Sequence, residues 1–133
     1  MSLTRGDDAH GSAPTVLGPG DAMVTTSIRR SHFSVKTICV RQDTLVTFVV
    51  RNHDPIAHEL IVGPPDLQYR HEHGTDPLHG PKPGEVSIPP DSTGRTIYHF
   101  HDVGSVEFAC HLPGHCAYGM HGNVIVEPAA RTA

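Results

Sequence analysis

The chain has 133 residues, enough for one domain, and its Lys+Arg 10 against Asp+Glu 14 gives a net charge of −4 with histidine neutral, which excludes the basic footprint of a nucleic-acid binder. Gly 13 and Pro 12 beside a charged fraction of 18% favour short strands joined by many turns over helices. No apolar run approaches the ~18 residues of a transmembrane segment, and no signal peptide is legible, Met1-Ser2-Leu3 being compatible with a natural start and with the trace of a removed leader or anchor.

Residues 1–21 are polar and rich in Gly, Pro and Asp and read as a flexible N-terminal arm or linker, residues 22–128 as the folded domain and residues 129–133 as a C-terminal tail. Residues 22–30 open the domain with Val24, Thr26 and Ile28 alternating, and residues 33–40 form a second strand with Ile38 and Val40 on one face. Gln42-Asp43 marks a turn. Residues 45–50 are nearly apolar throughout, as a central strand is, with Val46, Phe48 and Val50 directed inward. Asn52-His53-Asp54-Pro55 breaks that run, and residues 58–62 form the next strand, stopped by Gly63-Pro64-Pro65. Residues 66–84 read as a long loop, the kind that is functional or mobile in a compact domain. Residues 85–88 make a short strand. Residues 96–101 then turn Thr96, Tyr98 and Phe100 to one face and Ile97, His99 and His101 to the other. Residues 106–109 and 122–127 alternate as the last two strands. About eight strands and no helix predict an all-β fold, an antiparallel Greek-key β-sandwich.

Histidine is the compositional outlier, with 12 residues against Cys 3. Many histidines titrate between about pH 5 and 8 unless metal or burial holds them, so the net charge is sensitive to pH. An odd cysteine count argues against a pure disulfide framework. The stretch Cys110-His111-Leu112-Pro113-Gly114-His115-Cys116-Ala117-Tyr118-Gly119-Met120 joins the last two strands at one end of a sheet and spaces a thiolate, an imidazole and a thioether evenly at Cys110, His115 and Met120. A soft thiolate, a neutral imidazole and a weak thioether together suit copper better than zinc, calcium or magnesium. Such a site needs a second histidine. His58 opens a strand after a tight turn and is favoured over His53, which belongs to the turn itself.

With these residues in view, the chain resembles the single-domain cupredoxins, the plastocyanin and azurin type of blue-copper protein, over roughly residues 22–128. It is similar to the small bacterial members that carry His-Glu-hydrophobic at the first ligand, here His58-Glu59-Leu60, and Cys-His-x-Pro-Gly-His-x-x-x-Gly-Met at the loop. The resemblance implies a Greek-key sandwich holding one type 1 copper per chain, with His58, Cys110 and His115 as equatorial ligands and Met120 as the long axial one. It implies a one-electron carrier outside the cytoplasm that meets a redox partner protein through an apolar patch, for which Leu112, Pro113, Ala117, Pro55 and Ile56 are candidates. A monomer or weak oligomer is expected.

Several alternatives stand beside that reading. A structural zinc site normally has more Cys or His and no thioether. Copper enzymes that share this loop wire a further copper through histidines flanking the cysteine, whereas Ala109 precedes Cys110 here, so no enzyme activity is expected and His111 reads as a sheet-surface side chain. A copper-binding module for buffering or delivery would use the same ligands, with the His-rich stretch 69–80 (His71, Glu72, His73, Asp76 and His79) as an accessory site. Cys116 reads as a small packed side chain and Cys39 as a lone thiol on an outer face. His99 and His101 project two residues apart from one strand face, where surface histidines collect metal adventitiously.

Overall fold

The computed structural model describes residues 2–4, 15–73, 83–111 and 120–129. Two sheets face each other. The first contains β1 (Ser2–Thr4), β3 (Gly20–Arg29), β6 (Thr44–Asn52) and β9 (Thr93–Phe100) in the order β1-β3-β6-β9, with β4 (His32–Phe33) paired to β3. The second takes β2 (Val16–Leu17), β5 (Thr37–Arg41), β11 (His121–Glu127), β10 (Gly104–Ala109), β7 (His58–Gly63) and β8 (Glu85–Ile88) in the order β2-β5-β11-β10-β7-β8. The fold is the expected all-β sandwich, and the short pieces β1, β2 and β4 account for the strands beyond eight. Pairing is mixed rather than purely antiparallel: β3 lies parallel to β6, and β11 parallel to β5. Parallel neighbours need a long crossover between them, and the chain between β3 and β6 supplies one by visiting the other sheet as β5. The expected strand over residues 33–40 is therefore two pieces. Phe33 still pairs with β3 in the first sheet, and Thr37 already pairs with β11 in the second.

The core follows from period-two alternation. Val46, Phe48 and Val50 point inward from β6, and Ala22, Val24, Thr26 and Ile28 from β3. Burial of the Val, Ile and Phe side chains among them stabilises by roughly 1.5–3 kcal/mol each. Leu17 is fully buried in the same core, so the sandwich takes in residues ahead of the boundary expected at residue 22. A file of rings runs through the middle: Phe33 meets Phe108 edge-on at 5.5 Å, Phe108 lies 6.4 Å from Phe48, and Phe48 lies 6.4 Å from Phe100.

One expectation fails. Residues 66–84 are not all loop, because α1 (Pro65–His73) begins directly after β7. Pro65 and Asp66 are good first-turn residues, the one with its fixed φ and the other with its negative charge. The helix is hard to read from the sequence because its residues, Pro-Asp-Leu-Gln-Tyr-Arg-His-Glu-His, carry no apolar stripe. It covers the outer face of β7 through Leu67, which packs on Gly63, and Gln68. That cover explains why every residue of β7 is buried.

Gly122, which pairs with Phe108 near Cys110, is a point of close packing. A Cβ there would run into the Phe108 ring and lie 2.5 Å from the carbonyl oxygen of Lys36. Overpacking of this kind costs about 1–3 kcal/mol. Gly122→Ala is expected to lower the unfolding free energy in a denaturant titration by that amount, and an unchanged midpoint would contradict the packing described.

Candidate metal centre

The end of β6 sets the geometry. Asn52 is buried, and its side-chain amide nitrogen donates to the carbonyl oxygens of Ile56 (2.9 Å), Ile88 (3.2 Å) and Pro89 (3.1 Å). Its oxygen accepts the backbone N–H of Asp54 at 2.9 Å. This one side chain therefore shapes the turn between β6 and β7. Asp54, held at the centre of that turn, accepts the backbone N–H groups of Arg30 (2.7 Å) and Ser31 (2.8 Å) and a third bond from His58 Nε2 (2.8 Å). Burial alone would raise the Asp54 carboxyl, but the bonds from Ser31, His58 and Arg30 together outweigh it and hold it below the ordinary carboxylate range.

An ionised Asp54 accepts hydrogen bonds and cannot donate them, so the proton of a neutral His58 ring sits on Nε2. Nδ1 then carries the lone pair, and it faces the Cys110 sulfur at 4.0 Å. Two donors that share one ion at about 2.0–2.3 Å each stand apart by slightly less than twice that distance, so the pair fits a bound ion. Both residues are fully buried. Cys110 Sγ also accepts the backbone N–H of Glu59 at 3.4 Å, a bond that favours the thiolate. The Cys110 N–H donates to the carbonyl of Met120 at 3.0 Å, which brings the two ends of the 110–120 segment together, and Met120 is itself fully buried.

The structure thus gathers His58, Cys110 and Met120 at one end of the sandwich. His115 lies outside the described residues, as do Leu112, Pro113, Cys116 and Ala117. His53 stays apart. It is exposed, and its backbone N–H is used by Ile28. Pro55 and Ile56 are exposed at the same end. Of the His-rich stretch, His71, Glu72 and His73 fall on the backbone of α1, while Asp76 and His79 lie outside the described residues. Cys39 is half-buried on β5, and burial, with Glu127 nearby, pushes its thiol up.

His111 corrects the sequence reading. It is buried, not a sheet-surface side chain. Its backbone N–H donates to Glu59 Oε2 at 3.0 Å, and its Nε2 bonds Gln68 Oε1. Gln68 spends its amide nitrogen on the carbonyls of Ile61 (3.0 Å), Gly63 (3.4 Å) and Glu107 (2.8 Å), which aims its oxygen at His111. The sequence carried one signal for this. Leu60-Ile61-Val62 is continuously apolar, the pattern of a strand covered on both faces.

No family model matches the chain. Its sequence is 32% identical over 134 residues to the copper-resistant cuproprotein CopI of Rubrivivax gelatinosus, covering 94% of this chain and 81% of that one. Its fold is similar to that of dithionite-reduced auracyanin from the photosynthetic bacterium Roseiflexus castenholzii, with a TM-score of 0.66 at 16% identity over 84% of this chain and 98% of the other. It is also similar to auracyanin A, a "blue" copper protein of Chloroflexus aurantiacus, with a TM-score of 0.61 at 17% identity over 80% and 99% of the two chains. The sandwich is therefore the cupredoxin fold, as the resemblance in the sequence implied.

Because the Asp54 carboxyl is held low in the folded chain, it contributes stability above its unfolded value of about 3.9 and loses it as pH falls through the lower folded value. Metal-free Asp54→Asn is expected to be about 1–3 kcal/mol less stable than the parent at pH 7. The gap should narrow progressively below about pH 4, as read by denaturant midpoints across pH; a gap that stays constant to pH 2 would contradict the assignment.

Proposed function

We propose that this chain, which belongs to the CopI family of copper-resistant cuproproteins, binds one copper ion as a type 1 centre through His58 Nδ1, Cys110 Sγ, His115 and Met120. The observation that carries this reading is the buried pair itself: an imidazole whose tautomer Asp54 fixes, with its lone pair facing a thiol at 4.0 Å. The donor set is soft and includes a thioether, which suits copper. Bound copper would supply a one-electron couple between Cu(II) and Cu(I). The chain does the rest. Cys110 gives up its proton on binding, and the Glu59 N–H offsets part of the resulting charge. Asp54 holds the His58 ring still, and the surrounding apolar side chains keep water out.

Among the described ligands, His58, Cys110 and Met120 are fully buried within or directly beside strands β7, β10 and β11, which favours retention of the ion over exchange. We therefore read the protein as a one-electron carrier outside the cytoplasm that meets a redox partner protein, with exposed Pro55 and Ile56 beside the centre as part of the meeting face. A non-catalytic role is part of this proposal. Ala109 precedes Cys110, and the His111 ring is engaged by Gln68, which leaves no flanking imidazole to serve a second copper. The name of the Rubrivivax gelatinosus relative favours a second reading, in which the same ligands buffer or deliver copper and the histidines of 69–80 assist. Among the described residues no helix is long and apolar enough to cross a membrane.

Titration of the purified protein with Cu(II) is expected to produce the intense visible absorption of a copper–thiolate bond, saturating at one equivalent. Cys110→Ser and His58→Gly should abolish it, while His53→Gly should keep it. A band that survives Cys110→Ser would refute the site. Challenge with a Cu(I) chelator separates the two roles: a carrier keeps its copper through repeated oxidation and reduction. A delivery protein surrenders it, more slowly once His71, His73 and His79 are replaced by Ala.

A further inference from the structure

A second cluster of metal-binding groups lies at the other end of the sandwich. Asp43 sits in the turn between β5 and β6, and β9 ends beside it, with His99 on its exposed face and His101 directly after its last residue, Phe100. Asp43 Oδ1 stands 4.0 Å from His99 Nε2 and 3.7 Å from His101 Nδ1. One ligand atom from each of the three residues lies within 4.8 Å of the others, and the two rings are 3.9 Å apart. Small rotations of exposed side chains would bring all three to about 2.0–2.2 Å from one ion.

The backbone beneath this cluster is clamped, so the arrangement does not depend on loose side chains meeting by chance. The Asp43 N–H donates to the Phe100 carbonyl at 2.7 Å, and Gln42 Nε2 donates to the His101 carbonyl at 2.9 Å. The Gln42 N–H is held by Glu127 at 2.7 Å. Asp43 has φ 69°, a left-handed conformation that Asp tolerates better than most residues, and this conformation turns the chain so that the carboxylate meets β9. Gln42 and Asp43 thus fix both the turn and the end of the strand that bears the imidazoles.

We infer that Asp43, His99 and His101 form a second metal site, for a divalent first-row ion such as Cu(II) or Zn(II). Two imidazoles and a carboxylate suit these ions, and the absence of sulfur from the set disfavours Cu(I). Three protein ligands leave a position open for water. A groove of about 270 Å³, lined in part by His99, His101, Tyr98 and Val103, gives that position room. The two sites are independent. The first centre is at the Asn52 end of β6 and the cluster at the Thr44 end, and eight steps of about 3.3 Å separate them by about 26 Å. The chain would then carry a soft, buried centre at one end and a harder, open one at the other.

The test is a Zn(II) titration of the tag-free chain followed by NMR of the histidine rings. His99 and His101 resonances should move together and saturate at micromolar zinc or below. The His99→Ala/His101→Ala double variant should lose this zinc equivalent, and Asp43→Asn should weaken it at least tenfold. All three side chains are exposed and outside the core, and the copper–thiolate band of each variant should equal that of the parent, which keeps this test separate from that of the first centre. Two results would overturn the inference. One is movement only at millimolar zinc, which means an adventitious ion only. The other is a double variant that takes up zinc as the parent does, which would put the metal elsewhere.

Discussion

The hydrogen bond from His58 Nε2 to Asp54 is the constraint on which the geometry at the Cys110 end depends. It decides which nitrogen of the ring carries the proton and therefore which one faces Cys110. It is itself the last link of a chain of constraints. Asn52 bends the backbone by bonding three carbonyls and one N–H, and the bend delivers Asp54 to the N–H groups of Arg30 and Ser31. Both of those residues hold positive φ, 51° and 58°, so the turn after β3 contributes its backbone to the orientation of a side chain on β7. The His58 ring is thus fixed by two loops, the β3–β4 turn within the first sheet and the β6–β7 connection that crosses between the sheets.

The opposite flank of the centre is organised by a single glutamine. Gln68 donates to carbonyls on β7 and β10 and turns its oxygen to His111, and His111 in turn bonds Glu59 through its backbone. Each of these bonds satisfies a buried polar group, and leaving such a group unsatisfied costs about 1–3 kcal/mol. The helix that carries Gln68 is therefore tied to the sandwich by polar satisfaction more than by an apolar face. That explains how so polar a segment can form part of a compact domain.

Much of the frame was legible in the sequence because strand alternation is a strong signal. Val46, Phe48 and Val50 fall inward as their spacing requires, and Thr96 and Phe100 share the buried face of β9 while Ile97, His99 and His101 face out. His58 could be preferred over His53 from the position of the turn, and the structure sets the first beside Cys110 and leaves the second exposed. What stayed hidden depends on contacts between distant segments. Nothing local marks Gln68 as buried, or His111 as its partner 43 residues away. The splitting of residues 33–40 into β4 and β5 was equally silent, because a strand that changes sheets keeps its alternation. The parallel pairing of β3 with β6 is a property of topology, and composition does not encode it.

That topology has a kinetic side. Ile38 on β5 pairs with Val124 on β11, and Cys110 is tied to Met120 just before that last strand begins. β11 separates β5 from β10 in the second sheet, so the sheet is divided until residues 121–127 have arrived. Closing so long a loop is slow relative to local structure formation. Enclosure of the Cys110 thiol therefore requires β11 to be in place, which ties the buried state of Cys110 to completion of the second sheet.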